Sequence, residues 1–479
     1  MDERLPVTTG RPTLRGAEWI TPSRFGWVVV LTLSVIVAAS LLLFPPILVL
    51  AAIGGLLGLV LLFYFPFLGV LAYLVFEYAR ITAMFPVLIP LQFGKLLVAA
   101  MVVTWIGNGL VTGRLRFVSD RVNWLMLAWV CVGFITVTVA ARYDLAMAGA
   151  LDLAKWALIY LLLVNLTESH TKWQWFVWTL LLLNLKLSQF QLRSYAYNQS
   201  IATTAADADW FIIQGAGAGS TSFLANATDF GAAMCVVVPL AVYLVKFAKL
   251  KALRLLGLVS AILFVLSIVR TGSRGAALAL FAMALVYWLR SRHKLPVAMG
   301  VVGLLVAFWV ITPPASKDRF RSAVDYQEDA TASGRLDYWK AGIRMFVTHP
   351  VTGVGLYNFG HNYEAAGGGY AIVPHSIFIQ AASELGVPGI SILLALLFLM
   401  FKRNHETRRL AVGDDFQARY LRGFADALDL SLVGFIVSGA FLTILYYPHI
   451  FVILAMTISL NQIARRQAAL TTQESSPAA

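Results

Sequence analysis

Apolar residues fall along this chain in long solid blocks, parted by short polar stretches, rather than at alternate positions. A helix apolar on every face suits lipid, and about 20 such residues cross a hydrocarbon core of ~30 Å. Strands of a membrane barrel would alternate in segments of ~10 residues instead. Only helices and closed barrels satisfy their backbone groups in lipid, so the pattern predicts an all-α polytopic membrane protein. Fourteen candidate segments stand out: 25–44, 47–64, 66–79, 93–110, 123–141, 147–166, 174–190, 228–247, 255–269, 275–290, 296–312, 384–401, 428–446 and 448–463. Tyr64-Phe65-Pro66 parts the second from the third, and Tyr446-Tyr447-Pro448-His449 parts the last two. Each of these pairs is two spans, one broken helix or a re-entrant pair, so 12 to 14 transmembrane helices are expected. The polar start, Met1 to Arg24, has no small-residue cleavage site, so the first segment reads as a retained span and not a signal peptide.

Composition agrees. Of 479 residues, 59% are hydrophobic and 13% charged, against about 25% charged in a soluble domain. A soluble enzyme and a disordered chain are both excluded. The net charge of +13 would point to nucleic acid in a soluble protein. Here the positive-inside bias and an anionic leaflet account for it, and no nucleic-acid partner is expected. With the N-terminus in the cytoplasm, 23 of the 37 Lys and Arg residues fall on the cytoplasmic side and 11 outside. Both termini are therefore expected in the cytoplasm. The organisation read from this is a cytoplasmic N-terminus over 1–24 and a bundle over 25–312 with an external loop near 191–227. A large external loop over 313–383, C-terminal helices over 384–463 and a cytoplasmic tail over 464–479, polar and disordered from Gln467 to Ala479, complete it. Cys131 and Cys235 both lie inside apolar runs and indicate neither a disulfide framework nor a metal site.

A loop of 71 residues outside the membrane is long for a structureless connection. Within it, apolar residues at 336, 339, 343 and 346 step by three and four, which predicts an amphipathic helix with Ser333 as its N-cap. His349-Pro350 ends it. The helix either lies on the outer leaflet or packs on the bundle. A glycine-rich turn, Gly353-Val354-Gly355, then Gly367-Gly368-Gly369 and Pro374-His375-Ser376 follow before the next span.

The charges that oppose the topology carry the chemistry. Arg270 and Arg274 flank Thr271-Gly272-Ser273 between two apolar spans. Burying an arginine at membrane depth costs several kcal/mol, and no acidic residue lies nearby in sequence. Guanidinium forks, two hydroxyls and the N–H groups that open a helix suit a phosphate; arginines snorkelling to the interface are the alternative. His375, at the membrane end of the loop, is either a general base or a surface histidine. Glu384 is the next carboxylate in line for that role. His349, His361 and His375 lack ligand spacing and His361 with Glu364 is a weak pair, so no metal is expected. Asp152 and Lys155 read as a structural ion pair facing the bundle interior, with a proton relay as the alternative.

These residues together resemble a known group. Thr271-Gly272-Ser273-Arg274-Gly275, Ser333-Gly334-Arg335 with Trp339, His349-Pro350-Val351-Thr352-Gly353-Val354-Gly355-Leu356 with Phe359, and His375-Ser376 with Glu384-Leu385-Gly386 resemble the O-antigen ligase and O-antigen polymerase superfamily. The resemblance runs from about Ser222, at Ser222-Phe223-Leu224-Ala225-Asn226, to Phe401. It implies a GT-C-like, metal-independent glycosyltransferase in the bacterial inner membrane, with 313–383 as a periplasmic loop; His375 and the arginines at 270 and 274 share that face, so in-line attack between them is expected to make the transfer inverting. The implied donor is a glycan on undecaprenyl diphosphate. The implied acceptor is lipid A–core for a ligase, or another lipid-linked glycan for a polymerase. Carried onto this chain, Arg270, Arg274 and Arg335 hold the diphosphate, Arg193 is a further contact, and His375 activates the acceptor hydroxyl. No cofactor is implied, and no P-loop or dinucleotide motif is present. A lipid-linked oligosaccharide flippase is the alternative of a different class. It would carry charges through the midplane and internal repeats, whereas the charges here gather at one face.

Overall fold

The structure, a computed structural model, describes residues 32, 35, 43, 46–79, 81, 92–113, 115, 117–201, 227–312, 317, 330–369 and 372–475. Met1–Leu61 forms one compact unit and Leu62–Ala479 another. Among the described residues every regular element is a helix. The first is α1, Pro46–Tyr64, uncharged throughout. Phe65 alone separates it from α2, Pro66–Ala79, so the break falls where proline opens a helix without losing an internal bond. Then come α3 (Phe93–Val111), α4 (Arg121–Val137), α5 (Tyr143–Leu166), α6 (His170–Ile201), α7 (Ala227–Phe247), α8 (Lys251–Arg270), α9 (Arg274–Arg290) and α10 (Lys294–Ile311). The C-terminal third holds α11 (Ala330–Thr348), α12 (Phe359–Ala365), α13 (Ile377–Leu410), α14 (Phe416–Gly439) and α15 (Pro448–Ser475).

Six of these, α3, α5, α7, α8, α10 and α13, are long and apolar enough to cross a membrane, and α2 and α4 are shorter apolar helices. The chain is an all-α, multi-pass membrane protein. Its core forms where α7 packs on α8 and α14, α9 on α14, and α13 on α4, α14 and α15. Helix α7 is buried at nearly every position, whereas α10 has no buried residue. Ion pairs lock the end of the bundle where α9 and α13 finish. Buried Asp429 of α14 accepts from Arg290 of α9 at 2.8 Å, and from Arg408 and Asn404 of α13 at 2.8 and 2.9 Å. A carboxylate buried so deeply persists only when paired and hydrogen-bonded.

Four expectations change. Segment 174–190 is the middle of α6, which runs on to Ile201, because Gln, Arg and Tyr without Pro or Gly let the helix continue past the apolar run. Residues 202–226, with Ser222–Asn226, lie outside the described residues, as do 1–24 and most of 25–44. The tail does not begin at 464: α15 continues to Ser475, and Arg465 pairs with Glu406 at 2.8 Å. The loop helix begins at Ala330, so Ser333 sits inside its first turn and is not its N-cap; alanines at 330 and 332 extend it upstream. Asp152 and Lys155 do pair, at 3.0 Å, but both side chains are more than a third exposed, so the pair faces outward and adds little.

Helix α11 answers the choice between surface and bundle. It packs on α13: Gly342 leaves no room for a side chain beside Ile379, and Met345 is buried with Val354 and Phe359. Leu336, Ile343 and Val347 stay exposed on its other face.

Helix α13 opens before the expected 384 and breaks at Gly386, whose φ of +65° is outside the helical region. There the chain pairs with the glycine-rich turn that follows α11. The N–H groups of Val354 and Gly355 donate to Ser383 and Glu384 carbonyls at 2.9 and 3.0 Å, and Val387 N–H donates to the Pro350 carbonyl at 2.7 Å. Gly355 has φ +95°, and a Cβ there would lie 2.6 Å from that of Ala140. Gly355→Ala is therefore expected to lower the thermal unfolding midpoint, with about 1–3 kcal/mol from the backbone alone and more from the clash. Gly367→Ala, at φ +85° in open space, should lose less; equal losses would contradict the packing argument.

Candidate functional site

The site builds from the turn between α8 and α9. Gly272 reverses the chain with φ +60°. Ser273 caps α9, its hydroxyl accepting from the Ala276 N–H at 3.3 Å. The Thr271 hydroxyl donates to the Ile268 carbonyl at 2.7 Å. Both hydroxyls are buried and serve the helix ends, so the expectation that they face a ligand is corrected. What the turn presents is Arg270, the last residue of α8, and Arg274, the first of α9, both half-buried. Arg274 stands at a helix N-terminus, where the dipole already supplies positive potential and cations are disfavoured. An anion there is drawn by both. Gly231 of α7 lets the turn sit close: a Cβ on it would lie 2.9 Å from the Ala276 Cβ and 3.0 Å from the Thr271 hydroxyl.

The segment joining α14 to α15, residues 440–447, gathers the remaining parts. Phe441 faces Gly275 on one side, with 3.5 Å to where a Cβ would be, and the Trp339 ring of α11 at 6.2 Å on the other. Trp339 is one turn beyond Arg335. The Thr443 hydroxyl accepts from the His375 backbone N–H at 2.9 Å. The Tyr446 hydroxyl donates to Glu384 at 2.8 Å, and that of Tyr447 to Asp229 of α7 at 2.8 Å. One eight-residue connection thus touches the elements that carry Arg274, Arg335, His375 and Glu384.

His375 has a left-handed backbone, φ +47°. A non-glycine residue there costs about 1–3 kcal/mol and persists only where its surroundings fix it; the Thr443 bond and the Tyr338 ring at 5.9 Å do so. Burial lowers its pKa to about 4, and the nearby Arg335 charge acts in the same direction. The imidazole is therefore neutral at pH 7, with its lone pair free of a proton, and a weaker base than an exposed histidine. Glu384 is buried too, and its carboxylate accepts from the Tyr446 hydroxyl, which anchors it to the 440–447 segment.

A cavity of about 490 Å³ opens beside these groups. His375, Glu384, Asp229, Tyr357, Tyr446 and Tyr447 line it, with Arg142, His361 and Glu364 at its polar edge. Arg270, Arg274 and Arg335 are not among its described lining residues. Arg193 is separate again. It is exposed on α6 over the Phe190 ring at 5.9 Å, one turn past the Ser188–Ser267 hydroxyl contact, which is 2.5 Å long, as Arg270 is on α8. Among the described residues no cluster of three His, Cys, Asp or Glu side chains is arranged for a metal.

Sequence reasoning missed Arg142, Asp229, Thr443 and the two tyrosines. Arg142 forks onto Asp144 at 2.7 and 2.9 Å, and its backbone exchanges hydrogen bonds with the Asn358 side chain. The signal for the tyrosines was present: Tyr446-Tyr447 interrupts two apolar helices, and adjacent phenols at a helix break need partners.

Residues 259–394 match the family model described as O-antigen ligase. The resemblance seen in the motifs therefore holds over that stretch, which contains Arg270, Arg274, Arg335, His375 and Glu384, and it points to the glycosyltransferase-type superfamily of O-antigen ligases and polymerases. Comparison with curated proteins gives no match.

The burial of His375 has a measurable consequence. Its folded pKa is depressed, so charging it destabilises the fold as pH falls from about 6.5 towards 4. In histidine-selective ¹⁵N NMR, the ring resonance absent from His375→Gln should still be neutral at pH 5. Titration near 6.5 would contradict a buried imidazole.

Proposed function

We propose that this protein is an inverting, metal-independent glycosyltransferase of the bacterial inner membrane. It moves a glycan from undecaprenyl diphosphate to an acceptor hydroxyl on the periplasmic face, as an O-antigen ligase with lipid A–core as acceptor. The observation that carries this reading is the convergence on residues 440–447 of the arginine turn, α11 and His375, all from the family-matched stretch.

The chemistry follows from the charges. The bond from the anomeric carbon to the diphosphate oxygen breaks, and negative charge develops on the leaving diphosphate. Arg270, Arg274 and Arg335 hold that group through planar forks and stabilise the charge as it forms. Arg193 approaches the donor from the exposed end of α6. The acceptor enters the cavity that His375 lines. The neutral imidazole takes the proton as the hydroxyl oxygen bonds to the anomeric carbon. Attack from the face opposite the leaving group inverts that carbon. Glu384 positions the joint between α13 and the glycine-rich turn and takes no proton from substrate. Both termini lie in the cytoplasm, as the Lys and Arg distribution favours, which puts the 313–383 loop in the periplasm. An O-antigen polymerase would use the same donor chemistry with a second lipid-linked repeat as acceptor.

Transfer from a lipid-diphosphate glycan, offered lipid A–core and a second lipid-linked repeat in parallel, tests the reading. His375→Ala should lose about 10²–10⁴-fold in turnover with donor binding retained. Arg274→Lys should be impaired although it keeps the charge, because the fork is lost. Wild-type turnover in Arg274→Ala would sink the donor-site assignment.

A further inference from the structure

At the end of the bundle away from the arginine turn, α7 runs into Lys246–Arg254, α13 ends and α14 begins. These three segments enclose a second cavity of about 770 Å³. Six cations line it, Lys246, Lys249, Arg254, Arg408, Arg419 and Arg422, against one carboxylate, Asp426. A positive-inside bias explains basic loops but not their convergence on one concavity. Part of this charge is used internally. Arg408 pairs with Asp426 at 3.2 Å and Asp429 at 2.8 Å. Arg422 donates to the Ala411 and Gly413 carbonyls and reaches Asp414 at 3.5 Å, and Arg254 donates to the Ala248 carbonyl. Lys246, Lys249 and Arg419 form no ion pair with a described carboxylate, and Lys249 stands 5.2 Å from the centre of the Phe416 ring. So many like charges around one space repel each other, and a phosphate relieves that repulsion through charge-assisted hydrogen bonds.

A second, independent feature says what carries the phosphate. Tyr243 lines this cavity and also an apolar groove of about 290 Å³ between α7, α9 and α10. The groove shares Leu280, Ala284, Val301 and Leu304 with a smaller apolar pocket of about 90 Å³, which reaches Ala277 and Phe308 nearer the arginine turn. Its outer wall is α10, which has no buried residue, and Gly300 has open space where a side chain would stand. Basic head space and apolar track meet at one residue and run along the bundle.

We propose that this is a binding site for an anionic phospholipid. Its headgroup phosphate sits among Lys246, Lys249 and Arg419, and an acyl chain lies along the groove between α7, α9 and α10. A soluble phosphate compound would use the first cavity and leave the groove empty. The test measures binding to the purified full-length protein, so its outcome is independent of whether the glycan-transfer reading holds. Thermal unfolding midpoints and lipid retention by native mass spectrometry are compared with phosphatidylcholine, phosphatidylglycerol, cardiolipin and inorganic phosphate. Phosphatidylglycerol and cardiolipin should raise the midpoint above phosphatidylcholine and remain bound. The double variant Lys249→Gln/Arg419→Gln should weaken their apparent affinity about tenfold or more, and Ala284→Phe, which fills the groove, should weaken it as well. Wild-type protein that does not distinguish phosphatidylglycerol from phosphatidylcholine overturns the proposal, and this comparison needs no variant. An equal shift from inorganic phosphate, with Ala284→Phe unaffected, also overturns it in favour of a soluble anion.

Discussion

The break in α13 at Gly386 is the constraint on which the arginine-bearing end of the molecule depends. An unbroken helix would keep the Ser383 carbonyl inside its own ladder, paired with the Val387 N–H, and would leave the Glu384 carbonyl facing Pro388, which has no N–H to give. The break releases them to the Val354 and Gly355 N–H groups, and Val387 closes the joint onto Pro350. The glycine-rich turn is thereby fixed, and with it Tyr357 and Phe359. A buried carboxylate without partners costs several kcal/mol. The Tyr446 hydroxyl partners Glu384 and ties α13 to the 440–447 connection. His375, two residues before α13, inherits its strained backbone from that assembly.

The two ends of the bundle handle charge differently. Where α9 and α13 finish, arginines meet buried carboxylates: Asp429 joins α9, α13 and α14, and Arg403 meets Asp120 at the start of α4. Those pairs tie helices together, and the six-cation cavity lies beside them. At the other end the arginines stand at helix termini, one of them against the dipole, and beside a cavity with aromatic and polar walls.

Much of this was legible in the sequence. Solid apolar blocks fixed the fold class, because lipid leaves helices no alternative at that length. The arginines of Val269-Arg270-Thr271-Gly272-Ser273-Arg274 stood out because their positions cost energy. The pairing of His349-Pro350 and Gly353-Val354-Gly355 with Glu384-Leu385-Gly386 was visible as a motif but not as a joint: backbone hydrogen bonds between segments 30 residues apart leave no periodicity. Helix ends were less legible where composition and packing disagree. Helices α6 and α15 outrun their apolar segments because helix-forming polar residues continue them. The 440–447 connection was seen only as an interruption, since its importance lies in what it touches. Asp229 and Arg142 meet the cavity wall only through tertiary contacts more than 200 residues apart in sequence.

Transfer of a glycan from a lipid diphosphate by fixed arginines and a neutral imidazole, without a metal, shows most directly in the anomeric configuration of the product. Purified protein, a defined lipid-diphosphate glycan and acceptor are combined in detergent with EDTA and no ion gradient, and the new linkage is read by NMR. Turnover should be undiminished by EDTA, and the linkage should be inverted relative to the donor. Retention of configuration, or activity that returns only when a divalent cation is restored, would contradict it.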